Sequence, residues 1–254
     1  MINPQPAEDS LSCFYNDDEK PLKEQTIKDV YADYTSNGLT YKKVVSLKQR
    51  FSESIKTNRR LKYLDFGCGP GLMLYHHKDN WDCYGVDISD AACQNGKMLG
   101  LKIANSLDKL SDHKFDVITL FDVIEHLPDP VSFFSMIKEK LNEEGIIFLR
   151  LPVINGFLFD RRHPRKWKWV YAPYHLTIFS VRAIKNIAKK SRLKCSIIMD
   201  EDMWISPEII VAKYKEKNLI LAKILRRLAK YFPSFVWFFR LFFTSDTIFV
   251  ELRK

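Results

Sequence analysis

The chain has 254 residues, of which 46% are hydrophobic and 28% charged, so it can bury a sizeable core and is not of the disordered class. Its net charge is +9, with 19 basic and 23 acidic residues up to Arg150 and 21 basic and 8 acidic residues from Leu151 onward. This separation disfavours a uniformly basic protein that coats nucleic acid, and it fits a near-neutral catalytic part joined to a basic part that faces an anion or a membrane.

Residues 1–60 are predicted to form an N-terminal helical segment. The first thirty are polar and acidic and lack the basic start and apolar run of a signal peptide. The five cysteines are odd in number and include no CxxC pair, which indicates a reducing compartment rather than a disulfide framework. We therefore expect a cytoplasmic protein.

Strand-like and helix-like segments alternate from residue 61 to about 203. This pattern predicts an α/β fold, a doubly wound and mostly parallel sheet in a core domain over residues 61–204. Residues 246–254 supply its last strand. Seven strands are predicted, at Leu61–Phe66, Cys83–Ile88, Leu101–Ala104, Phe115–Phe121, Ile146–Leu151, Lys194–Met199 and Thr247–Leu252.

Two of the intervening helices carry clear start signals. Asp129 followed by Pro130 predicts an N-cap with proline at the first helical position, in a helix that ends at Gly145. Ser180 is predicted to cap a later helix whose apolar face includes Ile184 and Ile187.

Residues 205–245 are predicted to be an amphipathic helical insertion before the last strand. Within it, residues 218–231 place leucines and isoleucines on one face and lysines and arginines on the other. The aromatic run Phe235–Phe243 is far shorter than the roughly 20 residues of a spanning helix. Two roles stay open: packing on the core or on a second copy in a homodimer, and peripheral contact of residues 218–243 with the inner face of a membrane.

The most informative segment follows the first predicted strand directly and reads Asp65-Phe66-Gly67-Cys68-Gly69-Pro70-Gly71. Its glycines let the backbone turn tightly and approach a ligand, and the helix that follows directs N–H groups at a carboxylate or phosphate. Asp87 ends the second strand, where its carboxylate can accept hydrogen bonds from both hydroxyls of a ribose. A nicotinamide dinucleotide normally goes with G-x-G-x-x-G, and here the third glycine comes one residue earlier.

The spacing G-x-G-x-G, with the acidic Asp65 two residues before Gly67, resembles the first motif of the class I S-adenosylmethionine-dependent methyltransferases. Phe115–Pro130, Leu141–Gly145 and His175–Ser180 resemble further motifs of their small-molecule branch, which includes the O-methyltransferases of ubiquinone biosynthesis. The four motifs occur in order over residues 61–200. The resemblance implies a Rossmann-like methyltransferase fold and S-adenosylmethionine as the cofactor.

The resemblance also implies where that cofactor binds. The methionine part would be surrounded by Asp65, Gly67, Cys68 through its backbone, Gly69, Gly71 and the backbone carbonyl of Phe121. Asp87 would bind the ribose hydroxyls. The adenine would be covered on one face by Ile88 and edged by Ser106 and Leu107.

Methyl transfer is an in-line displacement at a sulfonium, so the enzyme must chiefly align the reactants and exclude water. His126 and His175 are the candidate general bases for an acceptor that does not ionise readily. In the ubiquinone-type enzymes, acidic residues and a histidine of this segment can hold a divalent ion, and Asp122, Glu125 and His126 stand at the matching positions. Because adjacent side chains on a turn diverge, we assign no metal ligand from the sequence.

Residues 155–174 follow the fifth predicted strand, where this class builds its acceptor pocket, and they interleave arginines and lysines with tryptophans and tyrosines. They predict an anionic acceptor, either a small or a lipid-linked molecule. The resemblance implies methylation of an oxygen, with nitrogen and carbon as the alternatives. The Pro-Pro-Tyr signature of DNA amino-methyltransferases is missing after Phe121, so nucleic acid is not an expected partner. A nicotinamide-dependent oxidoreductase and a non-catalytic cofactor-binding or membrane-adaptor protein are the alternatives.

Overall fold

The computed structural model of the protein describes residues 59–154, 170, 174–198 and 247–254, which build a seven-stranded sheet. Its strands are β1 (Lys62–Phe66), β2 (Asp82–Val86), β3 (Lys102–Ala104), β4 (Phe115–Phe121), β5 (Leu141–Pro152), β6 (Lys194–Ile198) and β7 (Thr247–Arg253). They lie in the order β3-β2-β1-β4-β5-β7-β6. The first five are parallel, and β7 runs antiparallel to both β5 and β6. The predicted fold class, a doubly wound and mostly parallel sheet, is confirmed.

Helices connect the parallel strands. The described ranges contain α1 (Leu72–His77), α2 (Asp90–Met98), α3 (Pro130–Glu139) and α4 (Val181–Lys190), with short 3-10 helices at Leu107–Leu110 and Ile124–His126. None of the helices in these ranges is long and apolar enough to cross a membrane. Residues 1–58 of the predicted N-terminal segment and the predicted insertion at 205–245 lie outside the described residues.

The centre of the sheet is buried on both faces, as helices on either side of a parallel sheet require. Every residue of β4 from Phe115 to Leu120 is buried, and so are residues 146–149 of β5. Six of the seven strands match their predicted ends to within two residues, and the exception is β5, which begins at Leu141 instead of Ile146.

The two predicted helix starts are confirmed. The Asp129 carboxylate accepts from the N–H groups of Val131 and Ser132, and Pro130 occupies the first helical position. The Ser180 hydroxyl accepts from the N–H of Ala183 at 3.1 Å.

The predicted helix end at Gly145 is wrong. α3 ends at Glu139, and Leu141 is already in β5, where it pairs with Phe115. The N–H of Phe115 donates to the carbonyl of Lys140 at 2.8 Å, and the Leu141 side chain is fully buried. The pairing of β4 with β5 shifts in register between Phe115 and Val117, which pair with Leu141 and Ile146. Gly145 lies in the part of β5 between these two pairs, so it is a strand residue and does not end a helix.

A buried carboxylate joins the ends of three strands. Asp116 on β4 accepts hydrogen bonds from Arg59 at 2.7 Å, from the N–H of Lys62 at 2.8 Å and from Asn142 at 2.7 Å. Burial alone would raise the pKa of Asp116, but these hydrogen bonds and the charge of Arg59 lower it below its ordinary 3.8. The ionised form of Asp116 therefore stabilises the start of the sheet.

We predict that Asp116→Asn lowers the free energy of unfolding at pH 7 by about 1.5–3 kcal/mol, the size of a hydrogen bond to a charged group. Because the native pKa lies below the unfolded one, this contribution is present above about pH 4 and is lost as the pH falls through the native pKa. Urea unfolding of the native protein and of Asp116→Asn should be compared from about pH 3, near the usual carboxyl pKa, to about pH 7. The difference between their free energies of unfolding should become smaller at acid pH. The exposed Asp112→Asn serves as the control, and a difference that is independent of pH would contradict the charge argument.

Candidate functional site at the carboxyl ends of the strands

The loop between β1 and α1 lies where the strand order reverses, between β1 and β4. The N–H groups of Gly67 and Cys68 both donate to the carbonyl of Val86, at 2.7 and 3.2 Å. Gly67 has φ +74°, and a Cβ there would lie 2.6 Å from Cγ2 of Val123. Gly69 has φ +50°, and a Cβ there would meet nothing within 4 Å. The loop is thus packed tightly on one side and open on the other, at the switch point where open α/β sheets bind ligands.

Asp87 follows β2 and holds the glycine loop. One carboxylate oxygen accepts from the N–H of Gly69 at 2.7 Å, and the other accepts from the N–H of Ser89 at 2.9 Å. Ser89 also caps α2, because its hydroxyl accepts from the N–H of Ala92 at 3.2 Å. Both carboxylate oxygens of Asp87 are thus bonded to backbone N–H groups of the loops that follow β1 and β2.

Asp65 lies on β1 with its side chain pointing into the sheet interior, 5% exposed. Thr119 on β4 donates to its Oδ1 at 2.6 Å, and the Thr119 hydroxyl in turn contacts that of Tyr63 at 2.8 Å. Burial raises the pKa of Asp65 to about 7, against the opposing hydrogen bond from Thr119. A cation placed beside Asp65 would favour its ionised form.

The other predicted cofactor residues lie at the same edge of the sheet but are spread along it. Ile88 is 46% exposed just after β2, Ser106 and the buried Leu107 follow β3, and Phe121 ends β4. The thiol of Cys68 is buried, and burial raises its pKa well above the ordinary value. Cys68 therefore serves the loop through its backbone and is not a reactive thiol.

Asp122 adopts a conformation that the sequence did not predict. Its φ is +56°, in the left-handed region, and its Oδ2 forms an ion pair with Arg150 on β5. Its N–H donates to the Arg150 carbonyl at 2.8 Å. Its Oδ1 is buried and lacks a hydrogen-bond partner among the described residues. Asp122 is therefore directed towards β5 and does not join Glu125 and His126.

Glu125, His126 and His175 instead form a cluster, in which one donor atom from each residue lies within 4.8 Å of the others. The two imidazole rings meet edge to face with centroids 4.8 Å apart. Burial raises the pKa of Glu125 to about 7. Burial, and next the neighbouring His175, lower the pKa of His126 to about 4. His126 is consequently neutral at physiological pH.

Backbone hydrogen bonds between the turn at Glu125 and the segment after His175 hold His175 in this cluster. The carbonyl of Glu125 accepts from the N–H groups of Leu176 and Thr177, at 2.8 and 3.1 Å. His126 Nδ1 lies 2.8 Å from the carbonyl of Tyr174. The 3-10 turn after β4 is thereby bonded to the segment that follows the predicted acceptor loop. The sequence indicates both histidines, each as part of a motif of the same branch, but no local pattern predicts that they lie close together.

The chain matches known proteins over much of its length. Residues 38–195 match the model of a family described as a methyltransferase domain. A ubiquinone biosynthesis O-methyltransferase of Pasteurella multocida is 28% identical over 152 residues, which are 52% of this chain and 55% of that protein. One from Hydrogenovibrio crunogenus is 22% identical over 190 residues, 70% of each chain. The chain spans about half the length of the first of these relatives.

The fold is similar to that of a SAM-dependent methyltransferase from Archaeoglobus fulgidus. The TM-score is 0.54 at 16% sequence identity, covering 87% of this chain and 97% of the other. At this identity the likeness concerns the fold alone.

The buried Asp65 makes a prediction about pH and stability. Its pKa is raised from 3.8 to about 7 in the folded protein, so the native state binds more protons than the unfolded state between those values. The native protein should lose up to about 1.4 kcal/mol of stability per pH unit from this group as the pH rises through that window. Asp65→Asn should make the fall in stability with pH less steep, with the part due to Glu125 remaining, as measured by denaturant unfolding at several pH values, whereas the exposed Asp79→Asn should keep the native slope. Parallel slopes in native protein and Asp65→Asn would show that Asp65 titrates normally.

Proposed function

We propose a function for this chain, which belongs to the class I S-adenosylmethionine-dependent methyltransferases, within the family described as a methyltransferase domain. It transfers a methyl group from S-adenosylmethionine to an oxygen atom of an anionic acceptor, either a small or a lipid-linked molecule. The observation that carries the proposal is the cradle at the switch point. There, a glycine loop with one open side is hydrogen-bonded to an acidic residue at the end of the neighbouring strand. The early third glycine disfavours a nicotinamide dinucleotide.

The nucleoside half of the cofactor would lie along the ends of β2 and β3. In this proposal Asp87 accepts hydrogen bonds from the ribose hydroxyls, with Gly69 beside it. Ile88 is a large exposed apolar side chain, and an adenine ring packed on it would remove that apolar surface from water. Ser106 and Leu107 would contact the adenine edge.

The methionine half would lie between the glycine loop and the end of β4. Asp65 is buried as a carboxyl of raised pKa, and the cofactor ammonium, directly or through a water, would compensate the cost of ionising it. The backbone carbonyl of Phe121 would accept a hydrogen bond from the same ammonium group. Gly67, Cys68 and Gly71 would contact the methionine part of the cofactor. In this proposal the sulfonium methyl group would lie near the turn that follows β4.

In the transfer itself, a lone pair of the acceptor oxygen attacks the methyl carbon as the S–CH3 bond breaks. The bonding electrons go to sulfur, leaving a neutral thioether, and the acceptor proton must go to a base. His126 Nδ1 faces a carbonyl and must donate to it, so the neutral ring keeps its lone pair on Nε2. We assign His126 the role of orienting the acceptor hydroxyl, because its lowered pKa makes it a weak base, and His175 the role of receiving the proton.

The charge distribution supports an anionic acceptor. Arg150, at the carboxyl end of β5, pairs with Asp122 and so offsets one negative charge beside Phe121. The predicted acceptor loop at 155–174 begins a few residues later and is strongly basic. That the similar curated proteins are named O-methyltransferases supports oxygen as the methylated atom. Membrane contact through residues 218–243 and a homodimer remain proposals about residues beyond the described ranges.

We expect Asp87→Ala to bind S-adenosylmethionine at least about tenfold more weakly than the native protein, because each charge-assisted hydrogen bond contributes about 1.5–3 kcal/mol. Isothermal calorimetry with S-adenosylmethionine and S-adenosylhomocysteine measures this directly. Asp79→Ala, an exposed acid outside the cradle, should bind like the native protein. Because Asp87 also holds Gly69, Asp87→Asn should be compared, since it keeps the size of the side chain. Tight binding of NADH in place of S-adenosylmethionine would overturn the proposal.

Incubation with methyl-labelled S-adenosylmethionine and separate lipid, sugar and small-metabolite extracts tests the reaction. We expect label in an acidic product, on oxygen, as identified by mass spectrometry, and much less label with Asp87→Ala at a concentration of S-adenosylmethionine that does not saturate the native protein. A protein that binds S-adenosylmethionine but labels no fraction of an extract that contains the true acceptor would be a cofactor-binding protein without this activity.

A further inference from the structure

We infer that the hydroxyl groups of Tyr63 and Thr119 form a buried chain that orients the Asp65 carboxylate and prepares it for the ammonium group of the cofactor. Both residues act through Asp65 and are therefore positioning residues. The role at the cofactor rests on the proposed function. The hydroxyl chain itself is a property of the free protein and can be tested without any ligand.

The pairing of β1 with β4 places the three side chains on one face of the sheet. Asp65 and Thr119 are partners in the parallel register of the two strands, and Tyr63 lies two residues before Asp65 on β1. Successive side chains of a strand alternate between the two faces, so Tyr63 and Asp65 share a face. Thr119 Oγ1 lies 2.6 Å from Asp65 Oδ1 and 2.8 Å from the Tyr63 hydroxyl. The three groups are thus joined by two short hydrogen bonds.

The directions of these bonds follow from the number of protons. A threonine hydroxyl has one proton, and Thr119 donates it to Asp65. Its other contact with an acceptor, the carbonyl of Leu64, is 3.5 Å long, beyond the usual range for a hydroxyl donor. Thr119 must then accept from Tyr63 while Asp65 is ionised. Because a hydroxyl that accepts a hydrogen bond becomes a better donor, both bonds stabilise negative charge on Asp65 Oδ1.

The surroundings of the chain are apolar and closely packed. Tyr63 and Thr119 are both fully buried, where a hydroxyl without a partner costs free energy. The Tyr63 ring meets His77 and Trp81 edge to face, with centroids 5.8 and 5.5 Å apart. These contacts fix the ring and with it the position of the hydroxyl group. Phenylalanine and valine would fill the same two places without polar atoms, so the hydroxyl groups are best explained by the carboxylate that they serve.

The charged groups around Asp65 come from neighbouring elements. Asp87, after β2, opposes ionisation of Asp65, whereas Arg150 on β5 favours it. The hydrogen bond from Thr119 lowers the pKa of Asp65 more than Arg150 does. Two thiols with raised pKa values, and therefore neutral at physiological pH, interact with it as well: Cys68 and Cys83. Thr119 is thus the chief support of the ionised carboxylate among the described residues.

The chain has a consequence for cofactor binding. In the free protein the pKa of Asp65 is about 7, so about half of the molecules carry the proton near pH 7. A bound ammonium group would favour the ionised form, and binding would release that proton to the solvent. Without the Thr119 hydroxyl the pKa of Asp65 would be higher. A larger fraction of the protein would then have to lose a proton on binding.

Carboxyl-carbon NMR titration of the free, full-length protein tests the chain without cofactor, with the Asp65 signal assigned by its loss in Asp65→Asn. Thr119→Val should raise the pKa of Asp65 by about one unit or more, the effect of a lost hydrogen bond to a charged group, and Thr119→Ser should restore it. Tyr63→Phe, which removes a single oxygen atom, should raise it less. Tyr84→Phe, the matched control, removes a hydroxyl that donates to another carboxylate at 3.0 Å and should leave Asp65 unchanged. An unchanged pKa of Asp65 in Thr119→Val, or in Tyr63→Phe if the first variant does not fold, would overturn the inference.

Calorimetry with S-adenosylhomocysteine at pH 7, in two buffers of different ionisation enthalpy, counts the protons released on binding. We expect about half a proton from Asp65 in the native protein and nearly one in Thr119→Val, which should bind at least about fivefold more weakly. The count should fall in Asp65→Asn. Weaker binding by Thr119→Val with the native proton count would indicate a merely structural role and contradict the inference.

The two measurements keep the inference and the proposed function apart. Binding of S-adenosylhomocysteine together with an unchanged titration of Asp65 in the hydroxyl variants contradicts only the inference. A shifted titration in a protein that binds neither S-adenosylmethionine nor S-adenosylhomocysteine contradicts only the proposed function.

Discussion

The reversal of strand order between β1 and β4 is the constraint on which the rest of the site depends. β4 is buried on both faces and pairs with β1 and β5, so the loops leaving β1 and β4 must diverge from a shared edge. They still touch, since any Cβ on Gly67 would lie 2.6 Å from Val123. The glycine loop and the turn that carries His126 are therefore packed as one unit. This contact joins the loop that is proposed to bind the cofactor to the turn that carries His126.

Two buried carboxyl groups, those of Asp65 and Glu125, lie on the two sides of this unit. Each has fewer hydrogen bonds from the described residues than a buried carboxylate usually has. Asp65 has the hydroxyl of Thr119, and Glu125 has no hydrogen-bond partner among the described residues. Burial raises the pKa of each to about 7. Such groups lower the stability of the fold, and functional sites commonly carry that cost. In the proposed function, the ammonium group of the cofactor would favour the ionised form of Asp65.

How much of this could be predicted from the sequence depends on whether a signal was local. The strands of the core and the caps at Asp129 and Ser180 follow from apolar runs and short-range chemistry, and the structure has them where predicted. Gly145 is a good local helix stop, yet the pairing of Leu141 with Phe115 overrides it. The left-handed φ of Asp122 and its pairing with Arg150 are tertiary effects. The approach of His175 to Glu125 depends on backbone bonds between segments about 50 residues apart, which no local pattern contains.

The arrangement of the site suggests a physical reason for the uneven distribution of charge along the chain. Asp65, Asp87, Asp122 and Glu125 all lie near the carboxyl ends of the central strands, a setting that favours the sulfonium and ammonium of the proposed cofactor. An anionic acceptor would be repelled by the same carboxylates unless cations accompany it. Asp122 and Arg150 already neutralise each other at the end of β5, which removes one negative charge from the acceptor side. In the proposed function, the basic residues that follow in the chain would bind the anionic acceptor. The acidic part would bind the cationic cofactor, and the two substrates would meet at the methyl carbon that is transferred.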